Sequence, residues 1–144
     1  MIISLISQKG GVGKSALARL IAVEYANAGW EVKIGDLDRN QGSTTSWKTR
    51  RDQNRIEPEI AVEKYATVER AIRDSSQYDL MILDGPAFAE AGGKTMAENS
   101  DLVIMPTNYG LDDLEPQVQT AYDLEALGVD PKKIVFVQLF FKTG

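Results

Sequence analysis

The chain has 144 residues, 43% hydrophobic and 26% charged, with 16 basic against 21 acidic side chains and a formal net charge of −5. That length supports one domain with its own core, and the acidic balance confines any contact with a polyanion to a local patch. Cysteine and histidine are both absent, which excludes disulfides, thiolate metal centres, iron–sulfur clusters and imidazole chemistry.

Met1 leads straight into the apolar run Ile2 to Ile6, which reads as a short buried strand. No basic leader or long apolar stretch precedes it, so neither a signal peptide nor a membrane span is expected, and a cytoplasmic location is the default. The run Ala16 to Ala28 reads as a helix. Between them lies Gln8-Lys9-Gly10-Gly11-Val12-Gly13-Lys14-Ser15. A strand, a glycine-rich loop and a helix in that order make a phosphate cradle. Glycines let successive N–H groups turn toward an anion without Cβ obstruction, and the helix N-terminus adds partial positive charge. The expected nucleotide contacts are Lys9, Gly10, Gly11, Val12, Gly13, Lys14, Ser15 and Ala16. Lys14 reaches the terminal phosphates, and the Ser15 hydroxyl ligates Mg²⁺.

The usual pattern of such loops, G-x-x-x-x-G-K-S/T, would place glycine where Gln8 stands. Lys9 to Ser15 instead resemble the K-G-G-x-G-K-S/T signature of the ParA/MinD family of P-loop ATPases. The resemblance implies that Lys9 reaches across a dimer interface to the nucleotide of the other subunit. A lysine supplied in trans adds positive charge where phosphoryl transfer develops negative charge, and it couples chemistry to dimerisation.

The first helix is apolar on nearly all sides, with Leu17, Leu20, Ile21, Val23 and Tyr25, and Gly29 ends it. Val32 to Leu37 then reads as a strand that delivers Asp36 and Asp38 to its carboxyl end, where α/β sheets bind ligands. Alternation puts both carboxylates on one face, so either could serve. Asp36-Leu37-Asp38-Arg39-Asn40-Gln41-Gly42-Ser43 resembles the family's D-x-D-P-Q-x-S segment, with Arg39 in place of proline and one extra residue. The resemblance gives Asp38 the task of orienting the attacking water, and it joins Ser15 and Asp84 around the metal.

Ser43 to Asn54 reads as a short polar helix carrying Trp47, Lys48, Arg50 and Arg51. The favoured reading is a solvated helix anchored by Trp47, and the sharper one a basic patch facing nucleotide or DNA. Glu59 to Val62 gives a weak strand signal. Thr67 to Ser75 reads as a helix with Thr67 as N-cap and Val68, Ala71 and Ile72 inward. Leu80 to Asp84 is an apolar strand ending in a carboxylate, the shape that presents an aspartate to Mg²⁺. Asp84-Gly85-Pro86 resembles the family's D-x-P switch. Ala87 to Ser100 reads as a mobile loop and helix. Leu102 to Met105 is a further strand closed by Pro106, followed by a helix from Leu114 to Leu127 with Asp112 and Asp113 as N-terminal charges. Ile134 to Phe141, almost free of polar residues, reads as a central parallel strand.

These elements predict an α/β domain over residues 1–144, doubly wound, with a mostly parallel sheet of about six strands and helices on both faces. Family members continue beyond the last strand, so the resemblance implies a P-loop NTPase fold lacking its C-terminal elements. It further implies a slow Mg²⁺-dependent ATPase that uses ATP, forms a homodimer when ATP-bound, responds to a ParB-like stimulating protein and binds nonspecific DNA during plasmid or chromosome partition. In that case the protein associates with the nucleoid, without membrane. Rival readings are a MinD-like regulator cycling on membranes, a metabolic ligase of the dethiobiotin synthetase kind, and a non-enzymatic interaction module.

Overall fold

The computed structural model describes residues 1–8, 13–38, 43–87 and 92–139. Six strands form one sheet: β1 (Ile2–Ser7), β2 (Val32–Asp36), β3 (Ala61–Lys64), β4 (Leu80–Ala87), β5 (Leu102–Thr107) and β6 (Ile134–Gln138). Their spatial order is β3-β2-β4-β1-β5-β6, and every pairing is parallel. Five helices intervene: α1 (Lys14–Asn27), α2 (Ser43–Gln53), α3 (Val68–Asp74), α4 (Gly93–Glu98) and α5 (Leu111–Ala126).

The handedness of parallel crossovers fixes which helix lies on which face. From β1 through β2 to β3 the chain steps toward one edge, and α1 and Trp47 of α2 pack with Ile3, Leu5, Ile34 and Ile82. From β3 onward it steps toward the other edge, and α3, α4 and α5 pack with Ile6, Met81, Leu83 and Met105 on the opposite face. The sheet is thus covered on both sides, as the alternation of strands and helices predicts. Leu5, Ile34, Ile82 and Leu83 are wholly buried, each worth about 2 kcal/mol of burial. Because the chain reverses direction around β1 and β4, their carboxyl ends border the crevice where such sheets bind ligands. The β1–β4 register slips there, between Leu5 and Ser7.

Turn chemistry behaves as the residue types dictate. Gly29 and Gly128 follow their helices at φ +92° and +99°, a conformation that costs side-chain-bearing residues strain. The Thr67 hydroxyl accepts from the Arg70 N–H at 3.4 Å, and Asp112 and Asp113 occupy the first turn of α5. Lys33, a buried cation on β2, donates to Glu63 at 2.5 Å and stands 5.3 and 5.1 Å from the Tyr65 and Tyr78 ring centres. That surround meets the desolvation cost of its charge.

One expectation differs. Among the described residues the apolar run from Ile134 is an edge strand, not a central one, with Val135 and Phe136 about 40% exposed. Helix α1 packs against the sheet as expected, leaving Leu20 58% exposed on its outer side. Of the loop expected after Ala87, residues 88–91 lie outside the described residues, and α4 supplies its helix.

Candidate functional site

The site forms where the start of α1 meets the carboxyl ends of β2 and β4. Gly13 has φ +84°, a left-handed conformation that glycine takes without strain, and it turns the chain into α1. Among the described residues no side chain caps that helix end, and its first turn holds no acidic residue. Its first-turn N–H groups and partial positive charge are therefore aimed at an incoming anion. Lys9, Gly10, Gly11 and Val12 lie outside the described residues, as do residues 39–42.

Lys14 is buried, and its Nζ donates to the Gly85 carbonyl at the end of β4. One residue on, the Ser15 hydroxyl donates to Asp84 Oδ2 at 2.7 Å. Ala16, the last of the expected contacts, is exposed. Asp84 is 1% exposed, and its other oxygen, Oδ1, has no hydrogen-bond partner among the described residues. Burial pushes the Asp84 carboxyl up, while the Ser15 hydrogen bond and the charge of Lys14 pull it down.

Asp36 stands beside Asp84 in register across β2 and β4. Its Oδ1 accepts from the Asp38 N–H at 3.0 Å, and its buried Oδ2 is likewise unpartnered. Burial and the charges of Asp84 and Asp38 push Asp36 up to about 6, against the Asp38 hydrogen bond. The strand stops at Asp36, so Asp38 does not continue its alternation. It lies half-buried just beyond, close enough for its charge to act on both buried acids.

The described part of the expected site therefore comes together: Gly13, Lys14 and Ser15 on one side, Asp38 and Asp84 on the other. Sequence reasoning passed over Arg19, one turn after Ser15 on α1. Burial pushes its guanidinium down, the charges of Asp84 and Asp36 oppose that, and the charge of Arg50 adds to it. Only its spacing of four residues from Ser15, on the same helix face, gave a signal.

A magnesium ion fits this donor set. Among the described residues no group of three or more carboxylates is arranged as a metal cage. Mg²⁺, however, commonly takes one or two carboxylates together with water and phosphate oxygens. Asp84 carries an oxygen with no protein partner beside a hydroxyl, which is such a partial shell.

Two buried acids held at close quarters weaken the metal-free fold. Because the folded value of Asp36 is raised to about 6 from an ordinary 3.8, the native state holds a proton more tightly than the unfolded chain. Stability therefore falls as pH rises between those values. Asp36→Asn in metal-free buffer is expected to gain about 3 kcal/mol at pH 7.5, the gain shrinking below pH 6 and nearly gone by pH 4. Urea unfolding at several pH values measures it, and a gain independent of pH would contradict the assignment.

Residues 1–124 match the family model described as an AAA domain. No curated protein matches the chain. Among solved structures, a chain of the MinC:MinD cell division protein complex from Aquifex aeolicus aligns with a TM-score of 0.75 at 18% identity, covering 98% of this chain and 69% of that one. A putative plasmid partition protein from Borrelia burgdorferi B31, bound to AMPPNP, aligns at 0.74 and 18% identity, covering 100% and 77%. The kinase domain of the Escherichia coli tyrosine kinase ETK aligns at 0.71 and 17% identity, covering 99% and 70%. All three share the fold.

Proposed function

Because this chain belongs to the AAA domain family, we propose that it is a Mg²⁺-dependent ATPase of the partition type, binding ATP at residues 9–16 and dimerising while ATP is bound. The observation that carries the reading is the pairing of Lys14 with the Gly85 carbonyl and of Ser15 with Asp84. It sets a phosphate-seeking cation and a metal-seeking carboxylate on either side of one crevice. The lysine pair Lys9 and Lys14 supports the ParA/MinD reading, and the likeness to a partition protein over the whole of this chain supports partition over a membrane-cycling regulator.

Ser15, Asp38 and Asp84 would hold the magnesium, which when bound neutralises charge on the phosphate oxygens. The chain's own groups do the rest. The N–H groups at the start of α1 and the Lys14 ammonium orient the triphosphate and stabilise the charge that develops on the transferred group. Asp38 accepts a hydrogen bond from the attacking water and aligns it. Lys9, entering from the second copy, completes the positive surround, so that turnover waits on dimerisation. A homodimer, a ParB-like activator and nonspecific DNA are the partners this cycle calls for.

The test is the state of association with AMPPNP and Mg²⁺, read by light scattering on a sizing column. Wild type is expected to dimerise. Lys9→Ala is expected to bind nucleotide within about threefold of wild type and stay monomeric, because one charge-assisted contact in trans is removed while the cradle remains. A Lys9→Ala protein that dimerises normally would remove the trans role. A membrane-cycling regulator would instead co-sediment with liposomes when ATP is present, and partition-type chemistry predicts that it does not.

A further inference from the structure

Strands β1 and β5 separate just where the chain leaves for residues 9–12, and a side chain from α5 fills the gap. Their last paired residues are Leu5 and Ile104. Along a strand the N–H and C=O of one residue point the same way, and those of the next point oppositely. The Met1 carbonyl accepts from the Met81 N–H at the β4 side, and the Ile2 carbonyl from the Asp101 N–H at the β5 side. Even-numbered residues of β1 therefore face β5. Carried forward in the same register, the Gln8 N–H would meet the Pro106 carbonyl directly.

Instead, the Gln8 N–H donates to Gln117 Oε1 at 3.1 Å, and Gln117 Nε2 donates to the Pro106 carbonyl at 2.6 Å. Gln117 is 3% exposed, on the inner face of α5. Its carboxamide is spliced into the ladder as one extra rung. Proline favours the break, because Pro106 has no N–H to return to β1. A carboxamide suits the gap because its oxygen accepts and its nitrogen donates, as a peptide group would. The bridge uses the backbone of Gln8, not its side chain.

We propose that Gln117 is a positioning residue for the phosphate loop: acting through the Gln8 N–H, it holds β1 away from β5 and sets the direction in which the chain enters residues 9–15. The inference rests on the reading of residues 9–16 as the nucleotide site. Backbone N–H groups hold a phosphate only when they converge on it, so the anchors of such a loop matter as much as its glycines. Lys14 and Ser15 tie the far end of the loop to β4. Gln117 ties the near end to β5, one residue before Lys9. Without the carboxamide, the Gln8 N–H and the Pro106 carbonyl either bond each other, drawing β1 toward β5, or stay unpaired. Both outcomes misdirect the loop.

Titration calorimetry with Mg²⁺·ADP reads the loop without turnover. Gln117→Leu, similar in volume and unable to hydrogen-bond, is expected to bind about tenfold more weakly than wild type, the scale of one to two neutral hydrogen bonds. Circular dichroism checks that it folds. Gln117→Glu separates positioning from packing. Its protonated carboxyl accepts and donates in the pattern of the carboxamide, whereas its carboxylate only accepts, and burial favours the protonated form. Compared with wild type at each pH, Gln117→Glu is expected to bind within about twofold at about pH 5.5 and to weaken as pH rises and the proton is lost. Gln117→Leu within about twofold of wild type, or Gln117→Glu still about tenfold weak at the acid end, would overturn the proposal while leaving the nucleotide site standing. Should Gln117→Leu not fold, the pH series of Gln117→Glu decides alone. A wild type that binds no Mg²⁺·ADP would overturn both.

Discussion

Lys14→Ala is expected to weaken ATP binding by about a hundredfold, the factor that roughly 2.7 kcal/mol of charge-assisted contact represents. The geometry makes the size of the effect specific to this residue. Lys14 is 7% exposed, so its ammonium has lost most of its water and has the Gly85 carbonyl in its place. A polyphosphate entering beside α1 offers that ammonium full negative charge in a site already poor in water, where the interaction is stronger than at the surface. Removing it also takes away the stronger of the two positive charges that act on Asp84, whose own charge then repels phosphate further. Titration calorimetry with ATP and Mg²⁺ measures the loss, and circular dichroism checks that the variant still folds. An affinity within threefold of wild type would mean that phosphates bind elsewhere.

Asp38→Ala is expected to bind ATP nearly as well as wild type and to lose turnover by about a hundredfold, the lower range for removing a group that positions a proton-bearing reactant. Asp38 suits the task better than its neighbour. Asp36 is 3% exposed and has one oxygen occupied by the turn it caps, whereas Asp38 stands half-buried at the mouth of the crevice. Phosphate release under single-turnover conditions separates the two. Turnover retained in Asp38→Ala but lost in Asp36→Asn would transfer the role to Asp36.

Much of this architecture could be read directly from residue types. Strand and helix periods, the glycine stops at Gly29 and Gly128 and the Thr67 cap are local properties, and they recur in the structure at the expected places. The kinship suggested by Lys9 to Ser15 agrees with the family match over residues 1–124 and with a fold shared by MinD and a partition protein. What failed depended on packing at a distance. The composition of Ile134 to Phe141 says that both faces of a strand are apolar, but not whether a neighbour pairs with each edge, so an edge strand passed for a central one. Alternation through Asp36 and Asp38 assumed that the strand continued, whereas Asp36 ends it by accepting from the Asp38 N–H. Arg19 was invisible for a further reason. The tryptophan it faces lies on another helix and the acids whose charge reaches it lie on other strands, a meeting that only the folded chain creates.

The central claim is that a triphosphate and its metal lie between the start of α1 and the end of β4. A crystal structure with AMPPNP and Mg²⁺ tests it most directly. The account predicts that Lys14 Nζ leaves the Gly85 carbonyl for phosphate oxygens, with the metal on the Ser15 hydroxyl and Asp84 facing it. Nucleotide bound elsewhere, with Lys14 still on Gly85 and Ser15 still on Asp84, would contradict it.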